Sequence, residues 1–346
     1  MKKNFLKVRE VVREAFNSKT IRFYYNKKKI SYKPGQFITI ILSIKNKKKY
    51  TKSYSFCTFL NNNKFLAITV KKVKNGIVSN YLNNNIVPGD ILKIINSSGD
   101  FVINNYNNYY NYHFIFLGAG SGITPLISLI KFTLYNYNNI IVSLIYVNNN
   151  KLQIIFWNQI NNLLSIYKDK FNVIYSLSRK INNWNNLFGR IKINKIQKLI
   201  INFNFLYKFL THYFICGPTG FMKISIKALD NVKIDKFSIY QESFASLYKN
   251  SFNNKNYYIN IINNNSINRI RISNKITILD SILSNNINLS FSCKNGSCKF
   301  CIAKCLFGRV FINLNNSLSK KEIDLGYILT CTSYSLSNDI IIKLLN

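Results

Sequence analysis

Four cysteines near the C-terminal end of the sequence have a spacing that few folds can accommodate. Cys293, Cys298 and Cys301 are separated by four and two residues, and Cys331 follows after 29 more. The pattern C-x4-C-x2-C…C is typical of plant-type [2Fe–2S] proteins, in which three thiolates come from one loop and a fourth from a later segment. Gly296, inside the loop, allows backbone conformations that other residues rarely adopt. The spacing therefore predicts an iron–sulfur domain.

Two other interpretations of the cysteines remain open. A structural zinc site usually takes its ligands from two C-x2-C-like pairs, which Cys331 does not provide. Buried free cysteines would leave the spacing to coincidence. Cys305 lies outside the pattern and is predicted to be an ordinary small apolar residue. The crowding of five of the seven cysteines after residue 292 favours metal ligation over disulfides, as in a cytoplasmic protein.

The chain is strongly basic. It carries 48 Lys and Arg against 12 Asp and Glu, a formal net charge of +36 over 346 residues. Such a charge ordinarily indicates a nucleic-acid or anionic-membrane partner. Here the cations are scattered singly or in short runs such as Lys27–Lys29, among residues that AT-rich codons favour, and no groove-reading motif accompanies them. We expect no nucleic-acid partner; a basic nucleic-acid-binding protein with a structural cluster is the remote alternative.

No segment of the sequence is typical of a membrane span. The longest apolar stretch, His113–Leu134, is interrupted by glycines, Pro125 and Lys131. The start Met1–Lys3 is similar to that of a signal peptide, but the charges within Arg9–Glu14 break up any apolar core. We expect a cytoplasmic protein without a membrane partner.

Hydrophobic patterning divides the chain into three predicted domains. Short β-rich runs separated by turn signals come first, which predicts a small antiparallel β-barrel. Strands alternating with a glycine turn and amphipathic segments follow, the pattern of an α/β domain with a parallel sheet. A polar, Asn-rich stretch then precedes the cysteine region. The predicted bounds are 1–107 for the barrel, 108–244 for the α/β domain, 245–256 for a linker and 257–346 for an α+β (β-grasp) ferredoxin domain.

A glycine-rich turn follows the first strand of the α/β domain. Gly118, Gly120 and Gly122 leave room for a pyrophosphate to approach the backbone. Thr124 is predicted to cap the next helix, with Pro125 at its first position, so that free N–H groups point at the phosphates. The spacing differs from G-x-G-x-x-G, so the turn predicts a nucleotide-binding fold of some kind.

The residues after two later strands indicate which nucleotide binds. One strand ends in Asn148–Asn150, with no carboxylate to bind a ribose 2′-hydroxyl and repel a 2′-phosphate. The segment Ser178-Arg179-Lys180 could supply the cation that NADPH needs. A solvated surface charge is the alternative interpretation of Arg179. NADPH is therefore favoured over NADH.

Seven motifs, in this order and followed by the cysteines with Gly326-Tyr-Ile-Leu-Thr-Cys331, resemble one family. They are Lys52-Ser-Tyr-Ser55, Gly76-Ile-Val-Ser-Asn80, Gly118–Pro125, Leu177-Ser-Arg179, Gly189-Arg-Ile191, Cys216-Gly-Pro218 and Glu242-Ser-Phe244. The chain is similar to the ferredoxin–NADP reductase superfamily over nearly its whole length, and most closely to three-domain members such as the reductase subunit of phenylacetyl-CoA epoxygenase. The resemblance implies an NAD(P)H-dependent oxidoreductase that contains FAD and a [2Fe–2S] cluster.

The resemblance also implies roles for several of these residues. Tyr54 would stack on the flavin ring, and Ser55 would form a hydrogen bond near its reactive nitrogen. Lys52 would contact the FAD pyrophosphate, and Cys216 would lie beside the nicotinamide. The implied catalytic residues are Ser55, Cys216 and Glu242, the last near the exposed flavin edge together with Phe244. The implied cofactor-binding residues are Lys52, Ser53, Tyr54, Ser55, Gly76, Val78, Ser79, Gly118, Gly120, Ser121, Gly122, Thr124, Pro125, Ser178, Arg179, Cys216, Gly217, Pro218 and Phe244, and the metal ligands are Cys293, Cys298, Cys301 and Cys331.

The expected function is electron transfer from NAD(P)H to FAD and then singly through the cluster to an oxygenase or another redox protein. A general ferredoxin-like diaphorase without a dedicated oxygenase is the alternative. Two features depart from the family pattern. Lys52 stands where relatives usually have Arg, which can hold two phosphate oxygens at once. The ferredoxin region is positively charged, whereas relatives are often acidic.

Overall fold

The computed structural model describes residues 3–25, 30–44, 48–59, 65–103, 110–179, 184–207, 209–244, 255–263, 266–313, 315 and 317–345. The chain forms two compact units, Lys2–Phe244 and Ala245–Asn346. The predicted boundary between 107 and 108, most of the predicted linker 245–256, and Lys27–Lys29 and Lys180 lie outside the described residues. In the described ranges, no helix is long and apolar enough to cross a bilayer.

The first unit begins with a six-stranded antiparallel sheet in the order β4-β3-β6-β1-β2-β5. An isolated bridge between Phe56 and Ile68 joins the two edges and closes the sheet into the predicted barrel. Alternate residues of each strand point inward and fill the barrel. Its elements are β1 (Lys3–Ala15), β2 (Ser18–Tyr24), β3 (Phe37–Ile44), β4 (Lys48–Ser55), β5 (Phe65–Lys71), α1 (Ile77–Asn84) and β6 (Ile91–Ser98).

The second sheet of this unit is parallel, in the order β10-β9-β8-β7-β11-β12. Its inner strands are mostly apolar because helices cover both faces. Helices α2 and α3 pack in the core on one face, and α4 and α5 in the core on the other. The elements are β7 (Tyr112–Ala119), α2 (Ile123–Asn136), β8 (Ile140–Asn148), α3 (Trp157–Ile166), β9 (Phe171–Leu177), β10 (Leu187–Phe188), α4 (Ile193–Leu206), β11 (Leu210–Gly217), α5 (Thr219–Asn231) and β12 (Ile239–Ser243).

The barrel and the parallel sheet share one hydrophobic core. Ala67 and Phe101 of the barrel pack with Phe116 and other residues of the parallel-sheet layer. Gly35 makes the closest approach: its N–H donates to Ser128 Oγ at 3.0 Å, and its φ of +88° together with the nearby carbonyl of Phe101 excludes a side chain. The two sheets therefore form a single packed body.

The second unit contains a five-stranded mixed sheet in the order β14-β13-β19-β15-β17, with a separate pair β16-β18. Strands β13 and β19 are parallel, and their neighbours are antiparallel. Helix α6 packs against this sheet through Ile278 and Ile282. The elements are β13 (Asn256–Asn263), β14 (Ser266–Ser273), α6 (Ile278–Ser284), β15 (Ile302–Phe307), β16 (Val310–Ile312), α7 (Lys320–Asp324), β17 (Tyr327–Leu329), β18 (Ser333–Ser335) and β19 (Ile340–Leu344). This is the predicted α+β ferredoxin architecture.

Candidate cofactor sites

Ser55, Cys216 and Glu242 come together where the barrel meets the parallel sheet. Ser55 ends β4, and its hydroxyl donates to Glu242 Oε2 at 3.3 Å. Glu242 lies on β12 in register with Cys216 on β11. All three side chains are buried. Residues that the sequence places far apart thus form one small polar cluster.

Burial determines the protonation of this cluster. The pKa of the Cys216 thiol is raised well above its usual value, mainly by loss of solvation and further by the nearby Glu242 carboxylate. Burial likewise raises the pKa of the Tyr54 phenol, one residue before Ser55. At neutral pH both groups keep their protons, so the thiol is a small neutral group and not a nucleophile.

The Gly76 motif forms a tight turn that leads into α1. Ser79 Oγ donates to the Gly76 carbonyl at 3.3 Å and accepts from the Val73 N–H at 3.2 Å. Asn80 Nδ2 donates to the carbonyls of Val73 and Gly76, at 3.0 Å and 2.6 Å. Val78 and Ser79 are buried, so the turn presents mainly backbone to a ligand. On the neighbouring strand β4, Lys52 is exposed.

The glycine-rich turn between β7 and α2 differs from the prediction at the helix start. A short 3₁₀ turn, Gly120–Gly122, precedes α2, and Gly122 is the N-cap residue without a side-chain cap. Thr124 is therefore not the cap: it lies in the first turn and donates to the Ser121 carbonyl at 3.0 Å. Pro125 is the third helical residue, not the first. The free N–H groups at this end remain available to a ligand.

Gly122 is required for the approach of the turn to β11. A Cβ atom there would lie 2.1 Å from the Cys216 carbonyl oxygen and 2.7 Å from the Gly217 nitrogen. The turn therefore packs directly on the strand end that carries Cys216-Gly217-Pro218. Ser243 ends β12 beside Gly217, and the side chain of Phe244, just beyond, is partly exposed.

A cavity of about 760 Å³ opens at this edge of the parallel sheet. Gly120, Ser178 and Pro218 line it, as the sequence predicts for a nucleotide site. Its lining cations include Arg190 and Lys192, whereas Arg179 is not among the lining residues. Arg190 belongs to the motif Gly189-Arg190-Ile191, for which no role was predicted. The position of this motif shortly before α4 was the signal in the sequence that could have identified Arg190 as a cavity residue.

Lys71 brings a cation from the barrel into the same cavity. It ends β5, and its Nζ lies 3.5 Å from the position of a Cβ on Gly120. Burial lowers the pKa of this ammonium group. No motif in the sequence identified Lys71, because the approach of β5 to the glycine turn depends on the packing of the two sheets.

The four cysteines of the second unit form two adjoining thiol pairs. Cys293 lies within hydrogen-bonding reach of Cys298 and Cys331, and Cys301 within reach of Cys331. The thiols of Cys298 and Cys331 hold the pKa of Cys293 well below its usual value, with further N–H bonds from the backbone. Ser297 N donates to Cys293 Sγ at 3.3 Å. The loop therefore supplies sulfur atoms and donors to them at one place.

This donor set fits a two-iron cluster. A [2Fe–2S] centre takes four thiolates, and the contacts of Cys293 with Cys298 and Cys331, and of Cys301 with Cys331, bring four thiols to one place. Cys305 lies apart from both pairs, and its thiol donates to the Phe307 carbonyl at 3.4 Å. The structure thus brings together the four cysteines that the spacing predicts as ligands and leaves out the fifth.

Three family models match successive parts of the chain. The oxidoreductase FAD-binding domain matches residues 6–103, the oxidoreductase NAD-binding domain residues 116–227, and the 2Fe-2S iron-sulfur cluster binding domain residues 263–336. Their order and approximate extent agree with the barrel, the parallel sheet and the cysteine-bearing unit. The third match identifies this part of the chain as an iron–sulfur domain, in place of the zinc alternative.

Two relatives match the chain over most of their own length. The ferredoxin reductase component of 3-ketosteroid-9-alpha-monooxygenase from Mycobacterium tuberculosis is 26% identical over 90% of this chain and 85% of its own length. One component of the 1,2-phenylacetyl-CoA epoxidase from Escherichia coli is 27% identical over 90% of this chain and 88% of its own length.

A solved structure shows the same fold. Phthalate dioxygenase reductase superposes with a TM-score of 0.66 over 99% of this chain and 98% of its own, at 17% identity. The three domain matches, the full-length relatives and the shared fold agree. The chain therefore belongs to the ferredoxin–NADP reductase superfamily, as an oxidoreductase that combines FAD-binding, NAD-binding and [2Fe–2S] domains in one polypeptide.

Proposed function

We propose that this reductase uses NADPH in preference to NADH and delivers electrons to an oxygenase component. The convergence of Ser55, Cys216 and Glu242 in one buried cluster, between the FAD-binding barrel and the NAD-binding sheet, carries this proposal. A hydride donor and its acceptor must meet at such a junction. The relatives from M. tuberculosis and E. coli are named as parts of a monooxygenase and an epoxidase, which supports an oxygenase as the partner.

The buried polar residues Ser55, Cys216 and Glu242 position the reacting groups. FAD, when bound, accepts a hydride and releases electrons one at a time, which the protein itself cannot do. Tyr54 offers an aromatic face, and the Ser55 hydroxyl is held in a fixed direction by Glu242. The neutral Cys216 thiol is proposed to form part of the surface on which the nicotinamide ring lies. Together these side chains exclude water and fix the approach of the two rings.

The flavin phosphates are proposed to bind between Lys52-Ser53 and the Gly76–Ser79 turn. Ser53 Oγ is within hydrogen-bonding distance of Thr39 Oγ1, at 2.8 Å, which fixes the strand beside the exposed Lys52. The buried Val78 and Ser79 anchor the start of α1, whose first N–H groups are proposed to face the ligand. Lys52 neutralises phosphate as a point charge, without the planar fork of arginine.

NADPH is the proposed nucleotide because its cavity is cationic where the 2′-phosphate is expected. Ser178, Arg190 and Lys192 line this part of the cavity, and the described lining residues include no carboxylate. The glycine turn Gly118–Pro125 would hold the pyrophosphate, with Lys71 opposite. Arg179, predicted from the sequence, would contribute long-range charge from the edge of the site.

The proposed ligands of the [2Fe–2S] cluster are Cys293, Cys298, Cys301 and Cys331. The proposed domain bounds remain 1–107, 108–244 and 257–346, with 245–256 as a linker; the extents of the two sheets and of the cysteine-bearing unit support them. The cytoplasm is the proposed location, because the described cysteines form no disulfide, as expected in a reducing compartment.

A visible spectrum recorded anaerobically before and after addition of NADPH tests the proposal. We expect flavin and iron–sulfur bands in the purified protein, and bleaching of both by NADPH. Faster bleaching by NADH at equal concentration would contradict the nucleotide preference.

A second experiment tests the partner. Reduced enzyme is mixed with a purified oxygenase component, and we expect the oxygenase component to be reduced. If the enzyme reduces small dyes but no oxygenase component, the diaphorase alternative is correct.

A further inference from the structure

Lysines directly follow two of the proposed cluster ligands in an unusual backbone conformation. Lys294 follows Cys293 with φ of 54°, and Lys299 follows Cys298 with φ of 53°. This left-handed region is unfavourable for residues with a Cβ, and glycine is the usual occupant. Such residues persist where their surroundings hold them in place.

The left-handed turns direct backbone N–H groups at sulfur. Beyond Lys294, the N–H of Asn295 points at Cys293 Sγ at 3.5 Å. Beyond Lys299, the N–H of Phe300 likewise donates to the Cys298 sulfur. Hydrogen bonds to cluster sulfurs are one of the main determinants of cluster potential and stability. The two lysines therefore occupy positions where backbone geometry affects the cluster directly.

An ion pair fixes Lys299 to the segment that leads to the fourth cysteine. Lys299 Nζ donates to Glu322 Oε1 at 2.8 Å and to Oε2 at 3.1 Å. Glu322 lies in α7, and its carboxylate also accepts from the N–H of Ser319 in a capping box. Helix α7 precedes β17, which runs toward Cys331. The ion pair thus joins the two segments that carry the proposed ligands.

Lys294 is held in the same manner, by Asp280 of α6 at 2.8 Å. A glycine at either position would relieve the backbone but would supply no ammonium group. The side chains at 294 and 299 therefore each connect a strained turn to a neighbouring helix.

We propose that the Lys299–Glu322 ion pair is a positioning latch for the iron–sulfur cluster. It holds the loop of three thiolates against the segment of Cys331 and maintains the turn that aims the Phe300 N–H at Cys298. The proposal rests on the assignment of the four cysteines as ligands. Loss of the latch loosens the N–H···S bond, so the cluster becomes easier to extract and harder to reduce.

Glu322→Gln in the full-length holoprotein tests the latch. Glutamine preserves the capping box of α7 but removes the charge that Lys299 binds. We expect loss of cluster absorbance under a chelator to be about threefold faster than in wild type, a modest factor because the pair is partly exposed. We also expect a more negative reduction potential. Removal of a negative charge alone would make the reduction potential more positive. The sign of the shift in potential therefore distinguishes a loosened N–H···S bond from a simple change of charge.

Two further variants complete the experiment. Asp339→Asn removes the same charge from the exposed Arg269–Asp339 pair, which joins no cysteine-bearing segment, and should leave both measurements unchanged. The double variant Lys299→Glu/Glu322→Lys should restore slow cluster loss. An extraction rate for Glu322→Gln equal to that of Asp339→Asn, or a positive potential shift, overturns the latch alone. Wild-type protein without any cluster after reconstitution overturns the ligand assignment and the latch with it.

Discussion

The Ser55 hydroxyl donates to the Glu242 carboxylate across 3.3 Å, although 187 residues separate the two in sequence. One belongs to the barrel and the other to the last strand of the parallel sheet. A single hydrogen bond therefore reports whether the FAD-binding and NAD-binding parts are correctly aligned. Because both side chains are buried, its loss would cost the remaining group a partner that water cannot readily replace.

Replacement of Glu242 should slow hydride transfer. We expect Glu242→Gln to reduce the rate of flavin bleaching by NADPH about tenfold to a hundredfold, since small displacements of reacting groups have effects of that size. Stopped-flow absorbance measures the rate. Gln241→Ala alters the exposed neighbour on the same strand and should have the wild-type rate. Equal rates for the two variants would exclude a role for Glu242 beyond folding.

Cys331→Ser should separate the two redox centres of the chain. We expect no iron–sulfur absorbance and no reduction of a protein acceptor such as a cytochrome, while NADPH still bleaches the flavin. Cys305→Ser is the matched control, because this half-buried thiol lies apart from the four ligands and should leave the cluster intact. If a folded Cys331→Ser variant no longer reduced its flavin, the order of electron transfer would be wrong.

Arg190 should discriminate between the two nicotinamide nucleotides. We expect Arg190→Ala to raise KM for NADPH about tenfold, equivalent to about 1.4 kcal/mol, and to leave KM for NADH nearly unchanged. Arg179→Ala should have a smaller effect of the same kind, because Arg179 does not line the cavity. Steady-state kinetics with both nucleotides measures the difference. Equal losses with NADH would indicate a structural role.

His113 should make the protein less stable in acid. Burial lowers its pKa to about 4, and its Nε2 bonds Ser143 Oγ at 2.8 Å. An unfolded histidine titrates near 6.5, so protons favour the unfolded chain. The unfolding free energy should be constant above about pH 6.5 and fall by up to about 3 kcal/mol toward pH 4. Urea denaturation at several pH values measures the fall, which His113→Asn should reduce.

Several elements could be predicted because their signals are local. The cysteine spacing, the glycine turn and the turn residues of the barrel all lie within short stretches of sequence. Strand β1 (Lys3–Ala15) was not predicted, because bulges at Val8/Glu10 and Arg13/Ala15 break its alternation of polar and apolar residues. Helix α1 was missed as well, since its Asn-rich sequence favours helix weakly and its stability comes from the buried Val78 and Leu82.

The rest of the site depends on packing between distant segments. Thr124 has the chemistry of a cap, but the 3₁₀ turn before it moves the helix start to Ile123. Lys71 and Arg190 both line the nucleotide cavity, and the approach of Lys71 is encoded in no motif around it. The Lys299–Glu322 pair likewise depends on where α7 lies relative to the cysteine loop.

The core shared by the barrel and the parallel sheet limits how this protein could have been assembled by gene fusion or recombination. An exchange with a crossover near residue 107 would separate Ala67 and Phe101 from the parallel-sheet residues of the same hydrophobic cluster and leave an apolar face on each fragment. A crossover after Phe244 would leave the hydrophobic cluster around Ile259 undivided, because its described members all come from the C-terminal unit. The iron–sulfur unit is thus the part that evolution could most readily gain, lose or replace.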